Sequence, residues 1–178
     1  MPDFPEVPAL GSQHIWSIHT WSENALSGAF LQSAPSGIAW PAANRALLIP
    51  FRLPVRATVY KMGCGTGTLT TGNFDLGIYD VNGNRLVSTG ATAKTTASSE
   101  RIVDVTDTQL MPGMYYLAMS TDGTQNYFGT AVGSAPICQL LGLREVDAGY
   151  VLPATVTFET YSSATLIPLV SAFLRSEV

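Results

Sequence analysis

Two carboxylates and three amides crowd the segment 73–90, NFDLGIYDVNGNRLVSTG, and oxygen-rich side chains at such spacing could bind calcium. A calcium loop of the EF-hand type has ligands at alternate positions, glycine at the sixth position and glutamate at the twelfth. Counted from Asp80, the sixth position is Arg85 and the twelfth is an alanine, so this spacing fails. The pair Asn82-Gly83 favours a two-residue type I′ turn, whose central residues both need positive φ. The segment therefore predicts a β-hairpin.

The acidic side chains show no spacing that marks a catalytic pair. A glycosidase needs two carboxyl groups roughly 5 to 10 Å apart across a cleft, and the sequence alone singles out no such pair. Most acids fall on outward strand positions or in turns, and Asp75 and Asp80 are expected to point outward or to flank the hairpin turn. The acids weighed are Asp75, Asp80, Glu100, Asp104, Asp107, Asp122, Glu145, Asp147 and Glu159.

Signatures of nucleophilic or phosphate-binding chemistry are also missing from the sequence. Gly-x-Ser-x-Gly does not occur, and the two histidines, His14 and His19, have no third ligand or base nearby. GCGTGTLTTG (63–72) lacks the Lys-Ser/Thr of a phosphate loop and predicts a flexible loop between strands. ATAKTTASSE (91–100) predicts a polar, flexible surface connection. We predict that the chain is not an enzyme and carries no catalytic residue, metal or cofactor.

Two cysteines, Cys64 and Cys138, lie far apart in the sequence. Free cysteine often packs as a small apolar residue, so we predict two free, partly buried thiols. A disulfide between them remains an alternative if their strands are neighbours. The spacing does not favour zinc, because no Cys-x-x-Cys or His-x-x-x-His accompanies them.

The composition is poor in charge: 46% of the residues are hydrophobic and only 12% are charged, against about 25% in typical domains. So few charged residues are typical of a protein whose sheets have neutral outer faces, or whose surface is partly covered by partners. The net charge of −4 argues against nucleic acid as a partner. No apolar run approaches the length of a membrane span, and MPDFPEVPALGSQ lacks the features of a signal peptide. We therefore expect no nucleic-acid and no membrane partner.

Short segments of alternating hydrophobicity follow one another from residue 44 onward, separated by glycine, proline and asparagine turns. In FDLGIYD, for example, Phe74, Leu76 and Ile78 alternate with residues that would face outward. No window shows a helical stripe, which argues against an α/β fold. The predicted fold class is all-β, an antiparallel β-sandwich or jelly roll with an extended N-terminal arm. The predicted strands are 45–51, 52–62, 74–80, 85–90, 101–107, 114–120, 154–160 and 164–170.

The first part of the chain differs from the rest, since it holds all three tryptophans, both histidines and several prolines without a sustained period. We predict two parts, an N-terminal arm at 1–43 and a β-sandwich domain at 44–178. The aromatic rings of the arm need a surface, either their own sandwich or a neighbouring subunit. Tryptophan is enriched among residues that dominate binding energy. The residues predicted to bind a partner are Trp16, Trp21, Phe30 and Trp40.

Aromatic side chains offer an alternative function, a sugar-binding face built with the loops 63–72 and 121–130. In MYYLAMS, one of Tyr115 and Tyr116 must point inward and the other outward. A core tyrosine beside a surface tyrosine is the commoner arrangement. The aromatic candidates are Tyr115, Tyr116, Tyr127, Phe128, Tyr150 and Tyr161.

Two family resemblances follow from these motifs. NFDLGIYDVNGNRLVSTG with LMPGMYYLAMS is similar to the strand–turn–strand and Gly-x-Tyr-Tyr-Leu pattern of pre-peptidase C-terminal and carbohydrate-binding β-sandwich domains. A longer series of segments, in this order, resembles small uncharacterised structural proteins of tailed-bacteriophage virions. Those segments are PAANRALLIPFRLPVRATVYKM (41–62), GNFDLGIYDVNGNRLVSTGATA (72–93), LMPGMYYLAMSTDG (110–123) and LPATVTF with IPLVSAF (152–173).

The phage resemblance implies a virion accessory role, either capsid decoration or cement, or a tail-fibre component. The implied partners are other virion proteins, such as the major capsid or a tail protein. The threefold positions of capsids make a homo-oligomer, and specifically a trimer, the expected assembly. The implied location is the virion, after synthesis in the host cytoplasm. The other resemblance implies a carbohydrate-binding, host-adhesion module, with a glycan as its partner.

Overall fold

The computed structural model describes residues 14–19, 36–68, 70–131, 134–158 and 161–176. Within these ranges the chain forms thirteen β-strands and one short α-helix. The elements are β1 His14–His19, β2 Ser36–Ala39, β3 Arg45–Leu53, β4 Ala57–Gly65, β5 Asn73–Asp80, β6 Arg85–Ser88, β7 Thr92–Ala93, β8 Glu100–Leu110, β9 Gly113–Thr121, β10 Asn126–Ala131, α1 Ala135–Leu140, β11 Arg144–Asp147, β12 Leu166–Pro168 and β13 Val170–Ser176.

The strands assemble into three antiparallel sheets. One has four strands in the order β1-β13-β4-β8, a second has three in the order β12-β10-β2, and the third has the order β11-β3-β9-β5-β6 with β7 also paired to β5. Side chains from all three sheets meet in one apolar core. The predicted all-β fold, an antiparallel β-sandwich, is therefore confirmed.

Alternation along the strands fills this core, because every second side chain of a strand points to the same face. Each fully buried aliphatic or aromatic side chain contributes roughly 1.5–3 kcal/mol through removal of its surface from water. The strands β3, β4, β5, β9 and β13 supply most of these side chains, which are all at most 1% exposed. They include Leu47, Phe51, Val59, Met62, Leu76, Ile78, Leu117, Met119, Val170 and Leu174.

The outer face of the six-stranded sheet is also covered, by the segment 148–158. Leu152 and Val156 of this segment pack on Tyr79 and on neighbouring small and aliphatic side chains of the sheet. Gly77 permits the approach, since a Cβ there would lie 2.8 Å from Leu152 Cδ1 and 2.8 Å from a backbone oxygen. β5 is consequently buried on both faces, and the predicted outward position of Asp75 is wrong.

One helix was not expected from the sequence. α1 is only six residues long, starts with proline in its first turn and buries a single side chain, Cys138, so it carries no detectable apolar stripe. Cys138 packs with Ile49, Leu141, Leu143 and Ile167. No helix in the described ranges has the length and apolar character that a membrane crossing requires.

Two further parts of the strand prediction differ from the structure. The predicted strand 154–160 is not formed over its described residues, which instead bond to the β5–β6 hairpin: the Val156 N–H donates to Gly83 O at 2.8 Å, and the Arg85 N–H donates to Ala154 O at 2.9 Å. The strands β10 and β11 were not predicted, because neither shows sustained alternation.

Two described parts of the predicted arm, residues 14–19 and 36–39, are strands within the sheets. β1 pairs with β13, and β2 pairs with β10. Trp40 follows β2 directly, and its backbone N–H donates to Gln125 O at 3.2 Å. These residues therefore lie against the chain's own sandwich, one of the two alternatives for the arm.

Candidate functional site

The carboxylate of Asp80 stabilises the β5–β6 turn. Its Oδ1 accepts the backbone N–H groups of Asn82 and Asn84 at 2.9 and 2.8 Å, and its Oδ2 accepts Asn84 Nδ2 at 2.8 Å. These bonds, the Asn84 side chain first, lower the pKa of Asp80. The predicted hairpin is confirmed, but four residues, 81–84, separate its strands, and only Gly83 among them has positive φ (+84°), so the type I′ assignment is wrong.

Asp75 lies beneath the covering segment rather than on a solvated face. Its carboxylate accepts the Ser88 hydroxyl at 2.9 Å, the Thr89 hydroxyl at 3.1 Å and the backbone N–H of Leu152 at 2.9 Å. The side chain is fully buried. All of these donors are neutral and belong to elements that must be held together, so the arrangement is structural.

Glu145 on β11 is a second carboxylate with a structural environment. It accepts hydrogen bonds from the Ser162 hydroxyl at 3.2 Å and from the Ser163 N–H and hydroxyl at 3.0 Å each. Arg45 forms ion pairs with Glu145 and with Asp147. In the described ranges, no three His, Cys, Asp or Glu side chains lie close enough together to hold a metal ion.

Lys94 is the least expected of the buried groups. It lies in the segment predicted to be a polar surface connection, yet the residue is only 1% exposed. Its Nζ donates to Asn126 O at 2.6 Å and lies 4.4 Å from the ring centroid of Tyr127. Burial lowers the pKa of Lys94. A single lysine in a Thr-rich run gives no sequence signal of burial, so the pattern could not have revealed this cluster.

Cys64 and Cys138 are both free thiols, as predicted, and both are buried. They belong to two different apolar clusters, so the alternative disulfide is not formed. Burial raises the pKa of Cys64 to about 12 and that of Cys138 to about 11. Neither thiol is a nucleophile at neutral pH, because the reactive form is the thiolate.

A cleft of about 400 Å³ opens beside Cys64 at one end of the sandwich. Its lining is mainly small and hydroxylated, with one carboxylate, Glu100. Its lining residues are Cys64, Gly65, Ser98, Ser99, Glu100, Leu169 and Ser171. Loop 63–72 differs from its prediction here, because its first three residues continue β4.

The tyrosines named for a sugar-binding face do not form one in the described structure. Tyr115 and Tyr127 are core residues, while Tyr116 stacks on Phe158 with ring centroids 4.4 Å apart. Tyr161 is half exposed, but the Arg144 guanidinium lies 3.7 Å from its ring centroid. The prediction that Tyr115 and Tyr116 point to opposite faces agrees with these positions.

Of the residues predicted to bind a partner, the structure describes the side chain of Trp40 alone. Trp40 is 1% exposed, donates Nε1–H to Arg45 O at 2.8 Å and packs edge-on against Tyr127 at 5.8 Å. Its ring is enclosed by its own core, and a partner contact through Trp40 stays a prediction. Trp16 lies in β1 with its side chain outside the described structure, and Trp21 and Phe30 lie outside the described residues.

Sequence reasoning missed a surface at the other end of the sandwich. Four large apolar side chains are exposed there, on turns or beside them, and we call this surface the apolar end. Large apolar residues in predicted turns, as in MPGM and in PVR, are a sequence signal that could have indicated an exposed apolar surface. The apolar end consists of Val55 (48% exposed), Val81 (55%), Met111 (59%) and Met114 (46%).

Strand register places the four residues at the same end. Leu53 pairs with Gly113 and Ala57 pairs with Leu110, so the two connections that cross between the sheets lie side by side. Asp80 pairs with Tyr115, which brings the β5–β6 turn to the same end.

Two arginines border the apolar end. Arg52 pairs in register with Met114, and Arg56 follows Val55 in the crossing connection. Both are exposed, and among the described residues neither takes part in an ion pair. The surface therefore combines exposed apolar side chains with two arginines that form no ion pair among the described residues, and the carboxylate of Asp80 lies at the same end.

Comparisons with known proteins identify no family for this chain. No protein-family model matches the chain, and no curated protein matches it. Among solved structures, a chain in the structure of infectious bursal disease virus Gx strain aligns with 100% of this chain and 40% of that chain, at a TM-score of 0.35 and 10% sequence identity. This chain thus spans less than half the length of the viral chain. A likeness of this size carries no argument about function.

Proposed function

We propose that this chain is a non-enzymatic structural subunit of a virus particle, a capsid-decoration or cement protein or a fibre component that binds other virion proteins. The apolar end is the observation that carries the subunit-binding role. The virion setting is supported by the resemblance of the segments 41–62, 72–93, 110–123 and 152–173 to phage structural proteins.

The apolar end fits a protein contact on physical grounds. Removing apolar surface from water gives about 25 cal/mol per Å², so four exposed side chains of this size favour a partner that covers them. Exposed apolar patches with a polar rim mark interaction sites. Arg52 and Arg56 supply such a rim, and their charge indicates a partner surface that is apolar at its centre and acidic at its edge.

Incorporation into particles tests the proposal. The double variant Met111→Glu/Met114→Glu places two carboxylates on the apolar end, where the partner's acids would repel them. Its matched control is Leu140→Glu, because Leu140 is 87% exposed on α1 and is not one of the four residues of the apolar end. Quantitative immunoblots of purified particles of the encoding virus are expected to show at least a tenfold loss for the double variant and no loss for the control. Circular dichroism verifies that both variants are folded.

The outcomes separate the two parts of the proposal. Absence of the wild-type chain from purified particles would contradict the virion role. Equal incorporation of the folded double variant, the control and the wild type would contradict the role of the apolar end while leaving the virion role in place. The carbohydrate-binding alternative has no comparable observation: Tyr115 and Tyr127 are buried in the core, Tyr116 stacks on Phe158, and the half-exposed Tyr161 lies against the Arg144 guanidinium.

A further inference from the structure

We infer that β1 is an exchanged strand: the edge of β13 that β1 covers binds, in one copy of the chain, the β1 of a second copy. The inference rests on the proposed role as an assembling subunit and names one partner, another copy of this chain. Its contact is separate from the apolar end, so the two can be tested independently.

The pairing of β1 with β13 is regular. Six consecutive register pairs run antiparallel from His14 with Ser176 to His19 with Ser171, without a bulge. β1 is the terminal strand of its sheet, with β13 as its neighbour. A ladder of this kind depends on backbone groups, so β1 of a second copy forms the same hydrogen bonds as β1 of the same copy.

β13 presents a fixed edge to whichever β1 binds it. Its inward side chains, Val170, Ala172 and Leu174, are at most 1% exposed in the core. Its other edge is paired with β4 along six register pairs. Without β1, therefore, β13 would be a rigid strand with unpaired N–H and C=O groups, which is the template that strand addition requires.

The connection from β1 to β2 is longer than pairing within one copy requires. His19 pairs with Ser171, Ser36 pairs with Gly129, and Gly129 pairs with Pro168, three residues before Ser171. With about 5 Å between paired Cα atoms and 3.8 Å per step along the chain, His19 and Ser36 lie at most about 26 Å apart. The residues 20–35 can span about 55 Å when extended. This excess lets β1 reach a neighbouring copy.

Strand exchange costs little free energy, because each copy donates its β1 to one neighbour and binds the β1 of another. Each backbone pairing is conserved, and reciprocal exchange closes a dimer while head-to-tail exchange closes a ring. A high local concentration of copies, as in an assembling particle, favours exchange over pairing within one copy.

Thiol cross-linking of the purified full-length protein tests the inference. One copy carries His19→Cys and a second, distinguishable by a larger tag, carries Ser171→Cys; the two are co-expressed and treated with a short bis-alkylating thiol reagent. Exchange predicts a denaturation-resistant band at the summed mass of both copies. The out-of-register pair His19→Cys with Arg175→Cys is the matched control and should give at least tenfold less product. The wild-type chain sets the background from Cys64 and Cys138.

The double variant His19→Cys/Ser171→Cys, with both cysteines in one chain, tests whether β1 pairs with β13 of the same copy. Cross-links confined to single chains would overturn the inference, and so would the absence of any cross-link, because β1 would then not pair with β13. Light scattering of the wild type adds a measurement that needs no cysteine: a mass of 18.9 kDa at all concentrations would also overturn it. These results concern the protein alone, so their failure is distinguishable from failure of particle incorporation.

Discussion

The carboxylate of Asp75 and the backbone N–H of Leu152 form a hydrogen bond of 2.9 Å between residues 77 positions apart. A second bond on the same face joins Tyr79 Oη to Pro153 O at 2.6 Å. Together they fasten the segment 148–158 on the outer face of β5. This face is thus an attachment surface for the chain itself, and the polar groups on it serve folding.

We expect Asp75→Ala to destabilise the protein by about 3 kcal/mol, because it leaves the buried Leu152 N–H without its acceptor and removes a hydrogen bond from each of two partly buried hydroxyl groups. Asp104→Ala is the matched control: the Asp104 side chain is 83% exposed, and such substitutions stay within about 0.5 kcal/mol. Urea unfolding followed by fluorescence measures both. Equal midpoints for the two variants would show that the Asp75 network contributes nothing to stability.

The sequence correctly predicted that one face of β5 is buried in the core. It failed to predict that the opposite face is also buried, and the reason is physical. Alternation distinguishes two faces of a strand, but it does not say whether a second layer covers the outer one. The covering layer is an irregular segment whose apolar residues, Leu152, Val156 and Phe158, resemble a strand in sequence. Tertiary contacts, among them the hydrogen bonds of Asp75 and Tyr79, show that this segment lies flat on the sheet.

The apolar end illustrates a similar limit. Its individual residues, such as Met111 and Val55, can be identified as apolar residues in turns from the sequence alone. Their gathering into one surface depends on the pairing of β3 with β9 and of β4 with β8, which brings distant turns together. Composition correctly indicated a charge-poor chain, but strand order decides where its exposed apolar groups collect.

Asp80 should make stability depend on pH in the acid range. Hydrogen bonds from Asn84 and Asn82 lower its pKa in the folded chain, so its contribution is full above the unfolded value of about 3.9 and is lost as the pH falls through the folded value. In Asn84→Ala the largest of these bonds is missing. The stability difference between wild type and Asn84→Ala should therefore shrink as the pH falls below about 4, as measured by urea midpoints. A difference that grows on acidification would contradict this assignment.

Trp40 should behave as a core residue and not as a partner contact. Trp40→Ala removes a buried ring and should lower the free energy of unfolding by about 3–5 kcal/mol. Trp40→Phe mainly leaves Arg45 O without its indole donor and should lower the free energy of unfolding by about 1–3 kcal/mol. Denaturant unfolding measures both values. Folded Trp40→Phe should enter particles as well as the wild type, and a selective loss of incorporation would restore the partner-binding role.

The two thiols should be inert until the chain unfolds. At pH 8 a thiol with a pKa of about 12 is ionised only on the order of 10⁻⁴, so a disulfide-exchange reagent should label native Cys64 and Cys138 slowly and both of them rapidly in denaturant. Leu140→Cys supplies the matched control, because position 140 is exposed and should react at once in the native protein. Rapid labelling of the native wild type would show that the core around Cys64 opens readily.

Lys94 gives a prediction in the alkaline range. Its pKa is lowered by burial, so the unfolded chain binds its proton more tightly, and wild-type stability should rise relative to Lys94→Met as the pH increases from 7 toward 10. At pH 7 we expect Lys94→Met to be as stable as the wild type or more so, because Asn126 O keeps the Gly67 N–H at 2.9 Å and the buried ammonium is removed. Urea midpoints of both proteins at pH 7 and pH 10 measure the difference. The opposite outcome is that Lys94→Met is strongly destabilised at pH 7, with a stability difference from the wild type that does not change with pH. In that outcome, the contact of the ammonium with the Tyr127 ring outweighs the free-energy cost of burying the ammonium, and the prediction is wrong.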